Sequence, residues 1–204
     1  SLARELGLWA VVGSSHRLSS PHRPHNSLYV ISAQGDVATR YDKQYCSYTE
    51  ITDWHTPGRE CCVFEVAGWR FGCVLCIEIQ FPELLQRYAD LDVDCILFSA
   101  YSDEPMFGIQ AQGYAATHNY WFSVSVPTQM SDALSSRLIA PSGELQAVVP
   151  PSISGLVVDQ LEVDCPRWRI ALQCAKPWRA KARDGEIYRQ RYVQDPRSEE
   201  KSAF

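Results

Sequence analysis

Three side chains with the chemistry of acyl transfer, Cys76, Lys43 and Glu50, stand where one kind of secondary structure gives way to another. Cys76 closes the apolar run Phe71-Gly-Cys-Val-Leu-Cys76, and Phe81-Pro82-Glu83 then opens a helix with a proline and an acid in its first turn. A cysteine between a strand end and a helix start meets backbone N–H groups and the positive end of a helix dipole, which favour a thiolate. The N–H of Ile77 would lie close enough to hold an oxyanion formed by attack at Cys76. Lys43 and Glu50 can form a charged pair across a strand-to-loop junction near the same sheet edge. Taken alone, these residues also fit a buried structural cysteine and a surface ion pair of small value.

Three other constellations are weaker. Cys73-x-x-Cys76 has the spacing of a redox dithiol, but a strand sends residues three apart to opposite faces. His22-x-x-His25 has no second ligand pair at metal spacing. Pairing of Cys76 with His55 or His118, as in papain-like sites, has no local motif behind it.

The elements that must position these residues read as follows. Leu2 to Leu6 is helical and closed by Gly7, Leu8 to Val12 is a buried strand, and Ser14 to His25 is a loop. Ser27 to Ser32 and Val37 to Tyr41 form a hairpin around Ala33-Gln-Gly-Asp36 and deliver Lys43 at its far end. A second strand pair, Cys62 to Val66 and Phe71 to Cys76, turns at Ala67-Gly68-Trp69. Then come strand Cys95 to Ser99, a helix from about Pro105 to His118, strand Trp121 to Val126, and strands near Arg137 to Ala140 and Leu156 to Val158. Interleaved helices and mixed strand pairs predict α/β layers in a single domain over residues 1–204.

An apolar share of 46% with 11% aromatics is enough for a sizeable core, which excludes disorder. The formal charge of -5 argues against a surface that tracks phosphates, so no nucleic acid is expected. No run reaches the roughly 18 apolar residues of a membrane helix, and no secretory pattern opens the chain. Of the eight cysteines, Cys61 and Cys62 are adjacent and Cys73, Cys76 and Cys95 lie in apolar strands, a pattern of reduced thiols in a cytoplasmic protein. Arg167, Arg169, Lys176, Arg179, Lys181, Arg183, Arg189 and Arg191, with Trp168, Trp178 and Tyr188, make a basic strip that is solvated or faces a subunit.

In its ordered motifs the chain resembles the nitrilase, or carbon-nitrogen hydrolase, superfamily. The resemblance runs through Leu2-Ala-Arg-Glu-Leu-Gly-Leu-Trp-Ala-Val-Val-Gly-Ser14, Asn26-Ser-Leu-Tyr-Val-Ile-Ser-Ala-Gln-Gly-Asp36, Arg40-Tyr-Asp-Lys43, Glu50 and Pro57-Gly58. Its most specific part is Phe71-Gly-Cys-Val-Leu-Cys76-Ile-Glu78-Ile-Gln-Phe-Pro-Glu83-Leu. Asp94-Cys-Ile-Leu-Phe-Ser-Ala100, Arg137-Leu-Ile-Ala-Pro-Ser-Gly143 and Lys176-Pro-Trp-Arg179 continue it. The family implies an α-β-β-α four-layer sandwich and a metal- and cofactor-free mechanism. Cys76 would attack an amide, nitrile or carbamoyl carbon, Lys43 and the Ile77 N–H would hold the oxyanion, and Glu50 would orient Lys43. Tyr101 and Ser102, past the next strand, become substrate-pocket candidates.

Two departures matter. The family's general-base glutamate belongs to an earlier strand that would precede Ser1, and Glu5, Glu50, Glu78 and Glu83 occupy other positions, so the sandwich is expected to be incomplete at its N-terminus. Gln44-Tyr45-Cys46 follows the lysine where many relatives carry His-Leu. The expectation is a hydrolase of small amides, with a catalytically silent binding subunit or a nitrilase-type acyltransferase as alternatives. The resemblance also implies a homodimer or higher homo-oligomer, with residues from about 166 to 204 against a neighbour.

Overall fold

The computed structural model describes residues 1–200 and 202. Helix α1 (Leu2–Leu6) ends at Gly7, whose φ of 63° lets its N–H turn back to the α1 carbonyls. Strands β1 (Ala10–His16), β2 (His25–Ile31) and β3 (Val37–Asp42) form an antiparallel sheet in that order. β1 starts later than its apolar run predicts and continues through Ser14 and Ser15, expected in a loop, because these residues pair with Ser27 and Asn26 of β2. Backbone pairing supplies the partners that a polar segment lacks by pattern.

The larger sheet contains β4 (Val63–Val66), β5 (Trp69–Leu75), β6 (Cys95–Ser99), β7 (Trp121–Ser125), β8 (Arg137–Ile139) and β9 (Leu145–Val148), side by side in sequence order. β5, β6 and β7 are parallel. Their crossovers are helices α2 (Pro82–Asp90) and α3 (Pro105–His118), as the apolar strand runs and the prolines at both helix starts require. β9, which no periodicity announced, pairs antiparallel with β8 beyond the Pro141–Gly143 turn. Leu156 and Val158, expected in a strand, have no ladder partner and are 85% and 86% exposed. Their alternation is that of a strand, but pairing is a tertiary event.

Alternation along β5 and β6 gives the larger sheet two apolar faces. Val74, Ile96, Phe98 and Phe122 pack with Leu84, Leu85 and Tyr88 of α2 and Phe107, Ala111 and Ala115 of α3. Cys73 and Leu75 face the small sheet and meet Leu28, Val30 and Tyr41. On the same side, Cys95 and Trp121 are covered by Trp168, which arrives from the C-terminal region. Three layers result: helices, large sheet, small sheet. The fourth is not formed among the described residues, since α1 buries none of its side chains. The small sheet's outer surface carries a polar network in which His16 bonds Tyr29 and Arg40, and Arg40 bonds Asp42 twice.

Beyond α4 (Lys176–Asp184), α5 (Glu186–Arg189) and α6 (Pro196–Glu199) follow as short turns. Much of the basic strip is engaged within the chain. Lys176 pairs with Asp92 and Asp94, and Arg179 donates to Ala116, Thr117 and Asn119 where α3 ends. No helix among the described residues is long and apolar enough to cross a membrane.

Tyr88 acts as a wedge in the large sheet: its hydroxyl donates to the Cys73 carbonyl at 2.6 Å and accepts the Cys62 N–H at 3.3 Å. It thereby replaces the next rung of the β4–β5 ladder after Val63 and Gly72. Its ring fits only because residue 72 has no side chain, since a Cβ there would lie 2.7 Å from the Tyr88 Cδ1. Gly72→Ala is therefore expected to cost about 1–3 kcal/mol. In thermal unfolding that is a drop of about 2–4 °C per kcal/mol in a chain of this size, and an unchanged midpoint would contradict the wedge.

Candidate functional site

Lys43 follows the last residue of β3, its N–H bonded to Asn26 O at 2.9 Å and its carbonyl to the Gly58 N–H at 2.8 Å. Gly58 can approach because it lacks a Cβ, which would otherwise collide with the Asp42 carbonyl. The Lys43 side chain turns inward and is 1% exposed. Its Nζ donates to Glu50 Oε2 at 2.6 Å.

Glu50 opens a single wide helical turn, Glu50–Trp54. Its Oε2 also accepts the Ser47 N–H at 2.7 Å, and its Oε1 accepts Asn26 Nδ2 at 3.0 Å. Burial pushes the Glu50 carboxyl up, but the bonds from Lys43, Ser47 and Asn26 outweigh it and hold the group at about 2. The ion pair is thus a fixed ammonium with a carboxylate that stays ionised beside it.

Cys76 follows the last residue of β5 and begins the short helix Cys76–Gln80. Its φ is 52°, a left-handed backbone that costs a side-chain-bearing residue on the order of 1–3 kcal/mol and persists only where neighbours enforce it. It is half-buried, packed at the border of the core that α2 and α3 share with the sheet. Two residues on, Glu78 is fully buried. It receives the Tyr41 hydroxyl at 2.7 Å, the Gln44 N–H at 2.6 Å, the Tyr45 N–H at 3.0 Å and the Leu75 N–H at 2.8 Å. These donors come from β3, from the loop after Lys43, and from the residue before Cys76. Burial pushes the Glu78 carboxyl upward against the opposing pull of these donors, yet three of them are amides that can only donate.

The Lys43 loop is secured further by stacking of Tyr45 on Phe81, with centroids 4.3 Å apart, and by Arg87 of α2 donating to Gln44 at 3.0 Å. Cys46 lies in the same loop within the field of Glu50 and Lys43. Burial first, then Glu50, raises its thiol, so it stays protonated at neutral pH.

Lys43 and Glu50 are therefore in direct contact, and Glu78 joins their loop to the Cys76 turn. Tyr101 and Ser102 sit past the carboxyl end of β6, the edge at which β5 delivers Cys76. Tyr101 is largely exposed, and Ser102 Oγ accepts the Glu104 N–H. His118 belongs elsewhere: it stacks between Tyr114 and Tyr120 beneath a cleft of about 1000 Å³ between α2 and α4, and burial pushes it down to about 4. His25 bonds the Thr56 carbonyl. Cys73 faces the small sheet while Cys76 joins the helical side, the opposite placement that argues against a dithiol. Sequence reading did not single out Asn26 or Ser47. Asn26 was within reach, because period-two alternation with Leu28 and Val30 turns it inward, whereas Ser47 acts through its backbone.

The carbon-nitrogen hydrolase family model matches residues 1–170. The chain belongs to the carbon-nitrogen hydrolase family. It is 31% identical over 96 residues to the deaminated glutathione amidase of Yersinia enterocolitica, a match covering 42% of this chain and 34% of that protein. The NitN amidase from Nesterenkonia sp. AN1 superposes with a TM-score of 0.70 at 19% identity, over 87% of this chain and 72% of that one. A mutant of the Nesterenkonia amidase with the acetamide moiety of fluoroacetamide covalently added at its active site cysteine gives 0.65 at 18%, over 72% and 59%. The matched stretches cover between 34% and 72% of these proteins' own lengths. The α/β arrangement is that of the nitrilase-type sandwich.

Because Glu50 titrates at about 2 here against an ordinary 4.5, its contribution to stability is complete above the ordinary value and is lost as pH falls towards 2. Urea unfolding between about pH 5 and 2 should show a steeper loss for wild type than for Glu50→Gln. Lys43→Met, which leaves the buried carboxylate unpaired, is expected to cost about 3–5 kcal/mol at neutral pH. Equal acid slopes in wild type and Glu50→Gln would contradict the assigned pair.

Proposed function

We propose that this chain carries the nucleophile and oxyanion side of an amide hydrolase that acts on small carbon-nitrogen substrates through a cysteine thioester. The observation that carries the reading is the buried Lys43 ammonium, held by an ionised Glu50 and tied through Glu78 to the left-handed turn at Cys76. In this reading the Cys76 thiolate attacks the amide carbon, and the developing oxyanion is received by Lys43 Nζ and the Ile77 N–H. The tetrahedral intermediate collapses to a thioester as ammonia or an amine leaves with a proton. Water then cleaves the thioester, releasing the acid and the thiol. Tyr101 and Ser102 would border the substrate.

A general base works best with a pKa near the operating pH. Glu50 is far too acidic for that task, Glu78 is saturated with donors, and Glu5 is exposed on α1. The family resemblance implies that the proton of Cys76 passes to a general-base glutamate, a role that none of these three carboxylates fills. A nitrile would enter the same thioester route, and acyl transfer would follow if an amine rather than water took the thioester. The commitment of these three carboxylates favours a second reading, a catalytically silent binding subunit.

Ammonia release from simple amides such as propionamide is the deciding assay. Activity should vanish in Cys76→Ala and fall about 10²–10³-fold in kcat in Lys43→Met. No release by an intact, folded wild-type protein would remove the hydrolase and leave the binding subunit. We also propose that the chain self-associates through its C-terminal stretch, where Trp178 and Tyr188 are 54% and 45% exposed although the neighbouring cations are bound internally. Sedimentation should give at least twice 23.1 kDa, and a monomer at all concentrations would refute the interface.

A further inference from the structure

Glu78 is the buried ionisable group that the reaction above does not consume, yet it touches more of the site than any side chain in it. Its two oxygens collect one hydroxyl and three amide donors from three separate stretches of chain. Two of those amides belong to the residues directly after Lys43, and the third belongs to the residue directly before Cys76. No water competes, because the side chain is fully buried. The donors are short, at 2.6 to 3.0 Å, and those on the Lys43 loop are backbone groups whose positions follow the chain rather than a rotamer.

We propose that Glu78 is a positioning residue: its carboxylate sets the separation of the Lys43 loop from the Cys76 turn and enforces the left-handed backbone that presents the thiol. The strained φ at Cys76 needs an external restraint, and the Glu78 bond to the Leu75 N–H closes the turn around it. The value of Glu78 is geometric. A misplacement of about 1 Å can cost on the order of 100-fold in rate. Glutamine in its place would keep the length but put an amide NH₂ against backbone N–H groups, and aspartate would keep the charge but fall short of one side.

The inference rests on the hydrolase reading, so its test includes labels that do not need turnover. Fluoroacetamide reacts where its amide is seated: the Cys76 thiolate forms a C–S bond, the C–F bond breaks and fluoride leaves with the electron pair. Iodoacetamide alkylates any accessible thiolate. Both are read by peptide mass spectrometry on wild type, Glu78→Gln and Glu78→Asp, with buried Cys73 and Cys95 as internal reporters of folding. Both variants should lose on the order of 100-fold in kcat and in fluoroacetamide labelling with KM changed far less. Iodoacetamide labelling of Cys76 should not fall, and Cys73 and Cys95 should stay unlabelled. A folded Glu78→Asp with wild-type kcat would overturn positioning in favour of charge, and wild-type behaviour of both variants would overturn any role.

If either variant labels at Cys73 and Cys95, Tyr41→Phe, which removes one donor alone, replaces it and should show the same pattern at smaller amplitude; unchanged kcat and labelling there would count against the proposal. If wild type neither turns over nor takes fluoroacetamide, the hydrolase reading fails separately. Amide exchange then decides for Glu78: faster exchange in Glu78→Gln at Gln44, Tyr45 and Leu75 together supports the bridge, and a change on one side only refutes it.

Discussion

A carboxylate removed from water must be met by hydrogen-bond donors, and in this fold one buried carboxylate, Glu78, dictates how the sheets come together at one edge while a second, Glu50, fixes the loop after β3. Glu50 gathers Lys43, Asn26 and the Ser47 amide, while Glu78 gathers Tyr41, Gln44, Tyr45 and Leu75. Those partners lie on β2, β3, the loop after β3 and the end of β5. Glu78 cannot be satisfied unless the small sheet lies on the large one in a single register, whereas the partners of Glu50 all belong to the small sheet and the loop that follows it. An unsatisfied buried acceptor costs more than most single contacts contribute, so this requirement selects the packing as strongly as the apolar surface between the sheets does.

The apolar surface provides the driving force and Glu78 provides the specificity. Leu28, Val30 and Tyr41 against Cys73 and Leu75 would tolerate a small slide, because hydrophobic contact is not directional. Hydrogen bonds of 2.6 to 3.0 Å to backbone amides would not. Tyr41 belongs to both systems: its ring is in the inter-sheet core and its hydroxyl is on Glu78.

The charges around Cys76 are balanced with the same economy. Lys43 pairs with Glu50 in the loop that Glu78 ties to the Cys76 turn, Glu50 stays ionised, and Cys46 stays uncharged. Placing Cys76 at the carboxyl end of a parallel strand agrees with the general behaviour of α/β sheets, where strand ends and following loops form the concave edge. The clefts between α2, α3 and α4 hold none of these groups.

The sequence by itself determined the local elements and the chemistry they could carry. Apolar runs with prolines behind them specified β5, β6, β7, α2 and α3, and the same punctuation put Cys76 at a strand end and Lys43 beyond a hairpin, because these signals are local. It could not set the extent of β1, find β9 or show that Leu156 and Val158 go unpaired, since each depends on whether a distant strand offers backbone partners. Nor could it reveal that Lys43 and Glu50 are buried rather than at the surface, or that Glu78 ties their loop to the Cys76 turn. Those facts arise only when two sheets close over charged groups and water is excluded, so that the tertiary structure decides which donors each carboxylate must accept.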